Sequence, residues 1–340
     1  MIRKFFILMT TCIWGLAVSF VCLAAHEQQE DDPHTQGEPF IIDLSIVGDC
    51  TLATFKGGNY AGSFNWYAER YAPDYFFEKV RDIFESDDFT IANLENVLTD
   101  NPLPEAEKGS SRAFWFKAPT RHCDILKAAS IEAVSLANNH TKDYGRQGLE
   151  DTIAAVRNAG IEYGAEDRTF YLEKNGFVIA VICHGLWYES QAAQIEKRIQ
   201  QASRHSDYQI VFYHGGAEAH HHPEPWRVRA SRRLVDAGAD LVLGNHPHVL
   251  QPVEVYNGAY IVYSLGNFCF GGNSRPENAT MICKLFLTVS EGRLQKQEVY
   301  FIPCYVYTGE VNNWQPAPID DPLRIQYVLD FLNALRERPY

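Results

Sequence analysis

Five polar clusters in this sequence could do chemistry: Gly48-Asp49, Asn93-Leu94-Glu95, Asn138-Asn139-His140, His214-Gly215-Gly216 and Gly244-Asn245-His246-Pro247-His248. They combine carboxylates, an amide oxygen and imidazoles, a set of hard-to-borderline ligands for divalent metals. Each follows an apolar run, at residues 41–47, 89–92, 133–137, 209–213 and 240–243. In open α/β sheets, strand ends converge on a crevice where ligands bind. Five clusters in register predict a polynuclear metal site.

The clusters differ in weight. Asp49 follows Gly48 at a strand end, so its carboxylate can point into a cleft, although Gly-Asp is also a common turn pair. Glu95 lies on a strand-end loop, where a carboxylate either bridges two metals or faces solvent. Asn139 and His140 put an amide beside an imidazole at the end of an apolar strand. That pairing has no packing rationale, because buried polar groups need partners. His214 ends a hydrophobic strand, and Gly215 and Gly216 would let the backbone approach a ligand closely. In His246-Pro247-His248 the proline restricts the backbone. An extended segment would send the two rings to opposite sides, toward two metals or toward one metal and an orienting partner. His220-His221-His222 sits in a polar loop and reads as peripheral. Arg227, Arg229, Arg232 and Arg233 read as a solvated helix face.

The elements that must position these residues alternate in type. Strands are expected over 41–47, 89–92, 133–137, 177–183, 209–213 and 240–243, and helices over 74–86, 121–130, 148–158, 189–204 and 225–237. Pro73 can open the first of these helices, and Gly160 is a left-handed stop for the third. Asn175-Gly176, Asn257-Gly258 and Glu291-Gly292 mark three β-hairpins. Alternating β and α followed by hairpins suggests a layered α/β domain whose core contains two sheets.

The bulk numbers set limits. At 340 residues with 46% hydrophobic composition, a large core is available. A net charge of −13 disfavours a general nucleic-acid binder. An anionic substrate then needs local positive charge, which a bound metal can supply. Arg3 and Lys4 precede an apolar stretch, so residues 1–25 read as a signal peptide or an N-terminal membrane anchor. Residues 26–39 read as a disordered tether, 40–310 as one domain, and 311–340 as an extension ending in a helix. The globular part is expected outside the cytoplasm, either periplasmic or anchored at the cell surface. Six cysteines remain beyond the leader, with no CxxC spacing, and are expected to be mostly reduced and buried.

In order, these motifs resemble the bacterial capsule-synthesis CapA family of the poly-gamma-glutamate type, a branch of the calcineurin-like metallophosphoesterase superfamily. The likeness runs from about residue 41 to 268. Besides the five clusters it rests on Ser135-Leu136-Ala137, Asp143-Tyr144-Gly145, Glu218, Asp236-Ala237-Gly238-Ala239-Asp240, Val249-Leu250-Gln251 and Ser264-Leu265-Gly266-Asn267-Phe268. It implies a four-layer αββα sandwich, metallophosphoesterase-like, with metals at strand ends. Asp49 and His248 would hold one divalent metal, Asn139, His214 and His246 the other, and Glu95 would bridge. His140 would stand near the scissile bond as general acid or electrostatic stabiliser. Asn96, Asn138, Glu218 and Asn267 would touch substrate.

The ligand set suits manganese, zinc or iron. The implied function is metal-dependent hydrolysis in the synthesis, export or anchoring of a cell-surface polymer, with metal-activated water attacking a phosphoryl or acyl centre. The alternative is a non-catalytic accessory or polymer-binding subunit. An anionic polymer or a phosphoester and membrane capsule-synthesis proteins are the implied partners. Two positions depart from the superfamily pattern: Thr51 stands where a metal-binding histidine is usual, and Thr141 where an acidic residue usually follows the Asn-His pair.

Overall fold

Parallel strands with both faces buried read as unbroken apolar runs, and Ile210–Tyr213 is such a run, buried along its whole length. The computed structural model describes residues 38–109, 113–271 and 278–337. The expected leader and nearly all of the tether lie outside these residues. In chain order the first strands and helices are β1 (Phe40–Cys50), β2 (Thr54–Phe55), α1 (Phe64–Ala68), α2 (Arg81–Phe84), β3 (Phe89–Leu94), β4 (Val97–Leu98) and β5 (Phe116–Ala118). Next come α3 (Cys123–Ala128), β6 (Ala133–Ser135), α4 (Gly145–Asn158), β7 (Glu162–Gly164), β8 (Thr169–Lys174), β9 (Phe177–Gly185) and α5 (Ala192–Ala202). β10 (Tyr208–His214), α6 (Pro225–Asp236), β11 (Leu241–Asn245), β12 (Leu250–Tyr256), β13 (Ala259–Leu265) and β14 (Asn267–Cys269) follow. The chain closes with β15 (Thr280–Ser290), β16 (Arg293–Tyr305), β17 (Ala317–Pro318) and α7 (Pro322–Glu337).

Among the described residues one sheet has the order β17-β16-β15-β1-β3-β6-β7, with β14 added beside β1, and a second has the order β12-β13-β11-β10-β9-β8. A small sheet, β2-β5-β4, sits apart from both. The main core lies between the two large sheets. There Ile42, Leu44 and Ile46 of β1 join Ile179, Val181, Ile210, Phe212, Leu241 and Leu243 of the second sheet. Alternate residues face outward. Val211, Tyr213 and Val242 pack on Ile195 and Ile199 of α5 and on Val228 and Leu234 of α6. Ala92 and Val134, on the outer face of the first sheet, pack with Phe84, Leu126 and Val156. Helices therefore cover both outer faces, giving the αββα sandwich expected from the sequence. Each fully buried Leu, Ile, Val or Phe contributes roughly 1.5–3 kcal/mol.

All three expected hairpins form, with Asn175, Gly176, Asn257, Gly258, Glu291 and Gly292 at positive φ. Gly160 also takes the expected left-handed turn. One expected helix breaks: residues 74–86 become a 3₁₀ turn, Pro73–Tyr75, a run of turns and the short α2. Neighbouring Phe76 and Phe77 are both buried, which a single helical stripe does not easily provide. α7 packs on β12 and sends Val328 and Leu332 into the inter-sheet core. All six cysteines from Cys50 to Cys304 are buried with free thiols. No described helix is long and apolar enough to cross a membrane.

One half-buried acid makes the fold sensitive to pH. Glu132 accepts a hydrogen bond from the Thr90 N–H through Oε2 at 2.7 Å. Burial pushes its carboxyl up to about 7, from 4.5. An acid whose folded pKa is raised gives full stability below its unfolded pKa and loses it as pH climbs. The loss here falls between 4.5 and about 7. Glu132→Gln keeps the acceptor oxygen. It is expected to leave the melting temperature unchanged near the low end of that window and to raise it at and above the high end, as calorimetry at two pH values would show.

Candidate metal centre

Strand register brings the polar clusters together. β1 runs parallel to β3 and β14, which sets Asp49 beside Asn93 and Asn267. In the second sheet, β10 runs parallel to β11 and sets His214 beside Asn245. Gly48 permits this crossing. A Cβ there would lie 1.9 Å from the Gly266 carbonyl oxygen, and the Asp49 N–H donates to that same oxygen at 3.0 Å.

Asp49 is fully buried and held from two sides. Asn93 Nδ2 donates to its Oδ1 at 2.7 Å, and the His246 backbone N–H donates to its Oδ2 at 3.2 Å. His248 Nδ1 lies 3.2 Å from Oδ2 and 2.8 Å from Asn267 Oδ1. His214 Nε2 lies 2.8 Å from Asn139 Oδ1, 3.1 Å from His246 Nδ1 and 3.5 Å from Glu95 Oε1. His140 Nε2 and His248 Nε2 approach that same Glu95 oxygen at 3.9 and 4.0 Å. Asp49, Glu95, Asn139, His140, His214, His246 and His248, scattered over two hundred residues of sequence, thus converge on one point.

Glu95 sits at that point with 0% exposure, and among the described residues neither of its carboxylate oxygens has a hydrogen-bond partner. An unpaired buried carboxylate costs several kcal/mol. Among the described residues three sets of donor atoms lie mutually within 4.8 Å: Asp49, Glu95 and His248; Glu95, His214 and His246; and Glu218, His246 and His248. The first two sets share Glu95. Each could hold a cation, and an orphaned carboxylate between them fits a bridging ligand.

The protonation pattern reflects this crowding. Burial, reinforced by Asp49, pushes the Glu95 carboxyl well above its ordinary range. Burial and then the neighbouring His246 hold His214 well below the usual imidazole value. Burial and His248 push His246 down to about 3. Burial would also lower His248, but Glu95 and then Asp49 outweigh it and push His248 up to about 10.

His140 follows β6 on a turn closed by its neighbours. Its backbone N–H donates to Asn138 Oδ1 at 3.1 Å, and Asn138 Nδ2 donates to Leu94 O at 2.9 Å. Thr141 Oγ1 donates to the Leu136 carbonyl and so completes the turn. His140 Nδ1 lies 2.8 Å from Asp143 Oδ2, while Lys108 pairs with Asp143 Oδ1. Burial lowers the His140 pKa, against the opposing pull of Asp143. Aromatic rings flank the centre, with Phe116 at 4.7 Å from His140, Phe270 at 4.8 Å from His248 and Trp187 at 4.9 Å from His246.

Three local expectations are corrected. The His246-Pro247-His248 segment is not extended: His246 and His248 have φ of 95° and 59°, and their rings lie side by side, 5.6 Å apart. The bond from His246 N–H to Asp49 holds this turn. Gly215 and Gly216 make room for protein atoms and not for a ligand. A Cβ on Gly215 would lie 1.9 Å from Leu186 O, and one on Gly216 would lie 1.8 Å from Arg227 Nη1. Arg227, expected on a solvated face, is 0% exposed and donates to Gly215 O at 2.7 Å and to Gln251 Oε1. Its neighbours Arg229, Arg232 and Arg233 do lie on the outer face, paired with Glu189, Glu254 and Glu196. His221 and His222 pack near Phe331 of α7.

The expected substrate contacts separate by environment. Asn96 is buried, accepts from the Leu52 N–H at 2.8 Å and donates to Val97 O at 3.2 Å. Asn138 braces the His140 turn, and Asn267 orients His248. Glu218 is 64% exposed at the mouth, with Oε1 3.9 Å from His246 Nε2. Sequence reasoning did not single out Asn93, Asp143, Lys108 or Trp187. The first two lie inside motifs already noted, whereas Lys108 and Trp187 sit in loops without pattern.

Residues 43–272 match the family described as bacterial capsule synthesis protein PGA_cap. The chain is similar to the PGA biosynthesis protein CapA of Bacillus subtilis, 30% identical over 267 residues, covering 71% of this chain and 67% of that protein. It is also 30% identical over 242 residues to the capsule biosynthesis protein CapA of Bacillus anthracis, covering 63% and 58%. A probable polyglutamine synthesis accessory protein of Mycobacterium tuberculosis is 27% identical over 241 residues, covering 60% and 62%. The chain thus spans about two thirds or less of the length of these relatives.

Proposed function

The chain belongs to the bacterial capsule synthesis protein PGA_cap family, and from that premise we propose that it is an exported, metal-dependent hydrolase-like protein. It acts in the synthesis, export or anchoring of a cell-surface polymer of the poly-gamma-glutamate type. The observation that carries the metal-dependent reading is Glu95, buried, unpaired in both oxygens and shared by two donor sets. Asp49, Glu95 and His248 would hold one divalent cation; Glu95, Asn139, His214 and His246 would hold a second. Mixed carboxylate, amide and imidazole donors suit manganese, zinc or iron. Bound cations supply Lewis acidity, polarising a phosphoryl or acyl oxygen and activating water.

The chain's own residues do the rest. Asp143 fixes the His140 ring through Nδ1 and so presents Nε2 toward the centre, placed to hand a proton to a leaving group. Lys108 holds the other Asp143 oxygen and keeps that carboxylate from swinging. Asn267 sets the His248 ring, as orienting partners of metal-binding imidazoles commonly do. The substrate is an anionic surface polymer or a phosphoester, and the working partners are membrane proteins of capsule synthesis.

The test is turnover. Protein loaded with manganese or zinc is assayed on bis-p-nitrophenyl phosphate and on poly-gamma-glutamate. His140→Ala is expected to lower kcat roughly 10²–10⁴-fold with little change in KM. If the loaded protein turns over neither substrate, the hydrolase reading is contradicted. Thr51 favours a second reading, a non-catalytic accessory subunit. Where the superfamily usually has a ligand, Thr51 is buried with its hydroxyl 3.5 Å from Glu95 O. On that reading, metal-loaded His140→Ala protein still supports capsule formation.

A further inference from the structure

Glu218 stands outside the ligand set assigned so far, yet the fold places it with care. Its loop follows β10 and carries Gly216 at a φ of 112° and Ala219 at 58°. The Ala219 N–H donates to Pro247 O at 2.9 Å, which ties the loop to the residue between His246 and His248. Gln251 Nε2 donates to His220 O at 2.6 Å, and His220 Nδ1 lies 2.7 Å from Glu218 O. Beneath the loop, Arg227 grips both Gly215 O and Gln251 Oε1. A fully buried arginine is costly unless it is well paired, and here it anchors both ends of the segment that carries one exposed carboxylate.

That carboxylate faces two imidazoles. Glu218 Oε1 lies 3.9 Å from His246 Nε2, and Glu218, His246 and His248 form a donor set within 4.8 Å. The unpaired Glu95 carboxylate lies behind them, 4.0 Å from His248 Nε2. We infer that Glu218 is a further metal ligand, closing the outer edge of the centre over His246 and His248. The inference rests on the reading of this centre as a cation site and adds a carboxylate donor at its mouth. Carboxylate donors favour harder cations such as Mn²⁺ over zinc. Because Glu218 is largely exposed, it can ligate without the desolvation that Asp49 and Glu95 undergo.

The test is direct titration of metal-free protein with MnCl2, read by calorimetry and by the electron paramagnetic resonance of free Mn²⁺. Glu218→Gln is expected to weaken the looser class of Mn²⁺ sites at least tenfold and to leave the tighter class unchanged. Glu218→Asp should recover part of that loss. Circular dichroism of the metal-free variant should match the parent protein, since the side chain is exposed. Wild-type binding of Mn²⁺ with an unchanged isotherm for Glu218→Gln overturns this inference alone. If wild-type protein binds no Mn²⁺, Zn²⁺ or Fe²⁺, both this inference and the cation reading fall.

Discussion

Replacing Glu95 by glutamine is expected to raise the melting temperature of the metal-free protein and to abolish its stabilisation by divalent cations. In the parent protein both carboxylate oxygens are buried without hydrogen-bond partners among the described residues, beside a second buried acid, Asp49. Glutamine is nearly isosteric and neutral, so the charge penalty disappears while the shape stays. A buried unpaired amide still costs about 1–3 kcal/mol, but a buried unpaired charge costs more. The other side of the exchange is ligation. A cation at a thousand times its Kd stabilises the parent by about 4 kcal/mol. For a chain of this size, at about 2.1 cal/mol/K of unfolding entropy per residue, each kcal/mol shifts the transition by roughly 1.5 °C. Calorimetry with chelator and then with excess MnCl2 would show a shift on the order of 6 °C for the parent and almost none for Glu95→Gln. An equal manganese shift in both proteins contradicts the shared role of Glu95.

Gly48→Ala is expected to be among the most damaging single methyls in the described residues. The new Cβ would lie 1.9 Å from Gly266 O and 3.0 Å from Gly266 C, both backbone atoms of the neighbouring segment. No side-chain rotation relieves such a clash, so β1 and β14 must separate. The separation breaks the bond from Asp49 N–H to Gly266 O, and with it the register of Asp49 with Asn267, whose side chain orients His248. A loss of about 4–5 kcal/mol or more is expected, at the upper end of single substitutions. Gly57→Ala is the control. Its Cβ meets nothing within 4 Å, although φ is +79°, so only about 1–2 kcal/mol of left-handed strain is expected. Urea titration of the two variants would measure the difference directly.

Much of the fold was legible because its signals are local. The run Ile210–Tyr213 alternates between the inter-sheet core and the α5–α6 layer, so it had to be apolar throughout. Asn175-Gly176 and Asn257-Gly258 demand positive φ at both residues, and the chain supplies it there. The site was legible for a related reason: strand ends are where side chains leave the ladder, and each polar cluster marked one end. What stayed hidden depends on long-range contacts. The pre-proline His246 is normally driven to extended backbone, yet it sits at a φ of 95° because its N–H reaches Asp49 across almost two hundred residues. Arg227 has the sequence look of a surface arginine, and its burial follows from the space that Gly216 leaves empty. Phe76 and Phe77 break the expected helix because both must reach the outer core. Lys108 meets Asp143 only after a long loop folds back, and no periodicity encodes that return.

The most direct test of the metal centre is elemental analysis of protein purified without chelators, beside the double variant His246→Ala/His248→Ala. The variant removes one imidazole from each of the two Glu95-containing donor sets. The expected result is close to two equivalents of a divalent first-row metal per chain in the parent and close to none in the variant, with matching circular dichroism. A parent protein that retains no metal after dialysis against manganese, zinc or iron, or a variant that retains as much as the parent, would contradict the central claim.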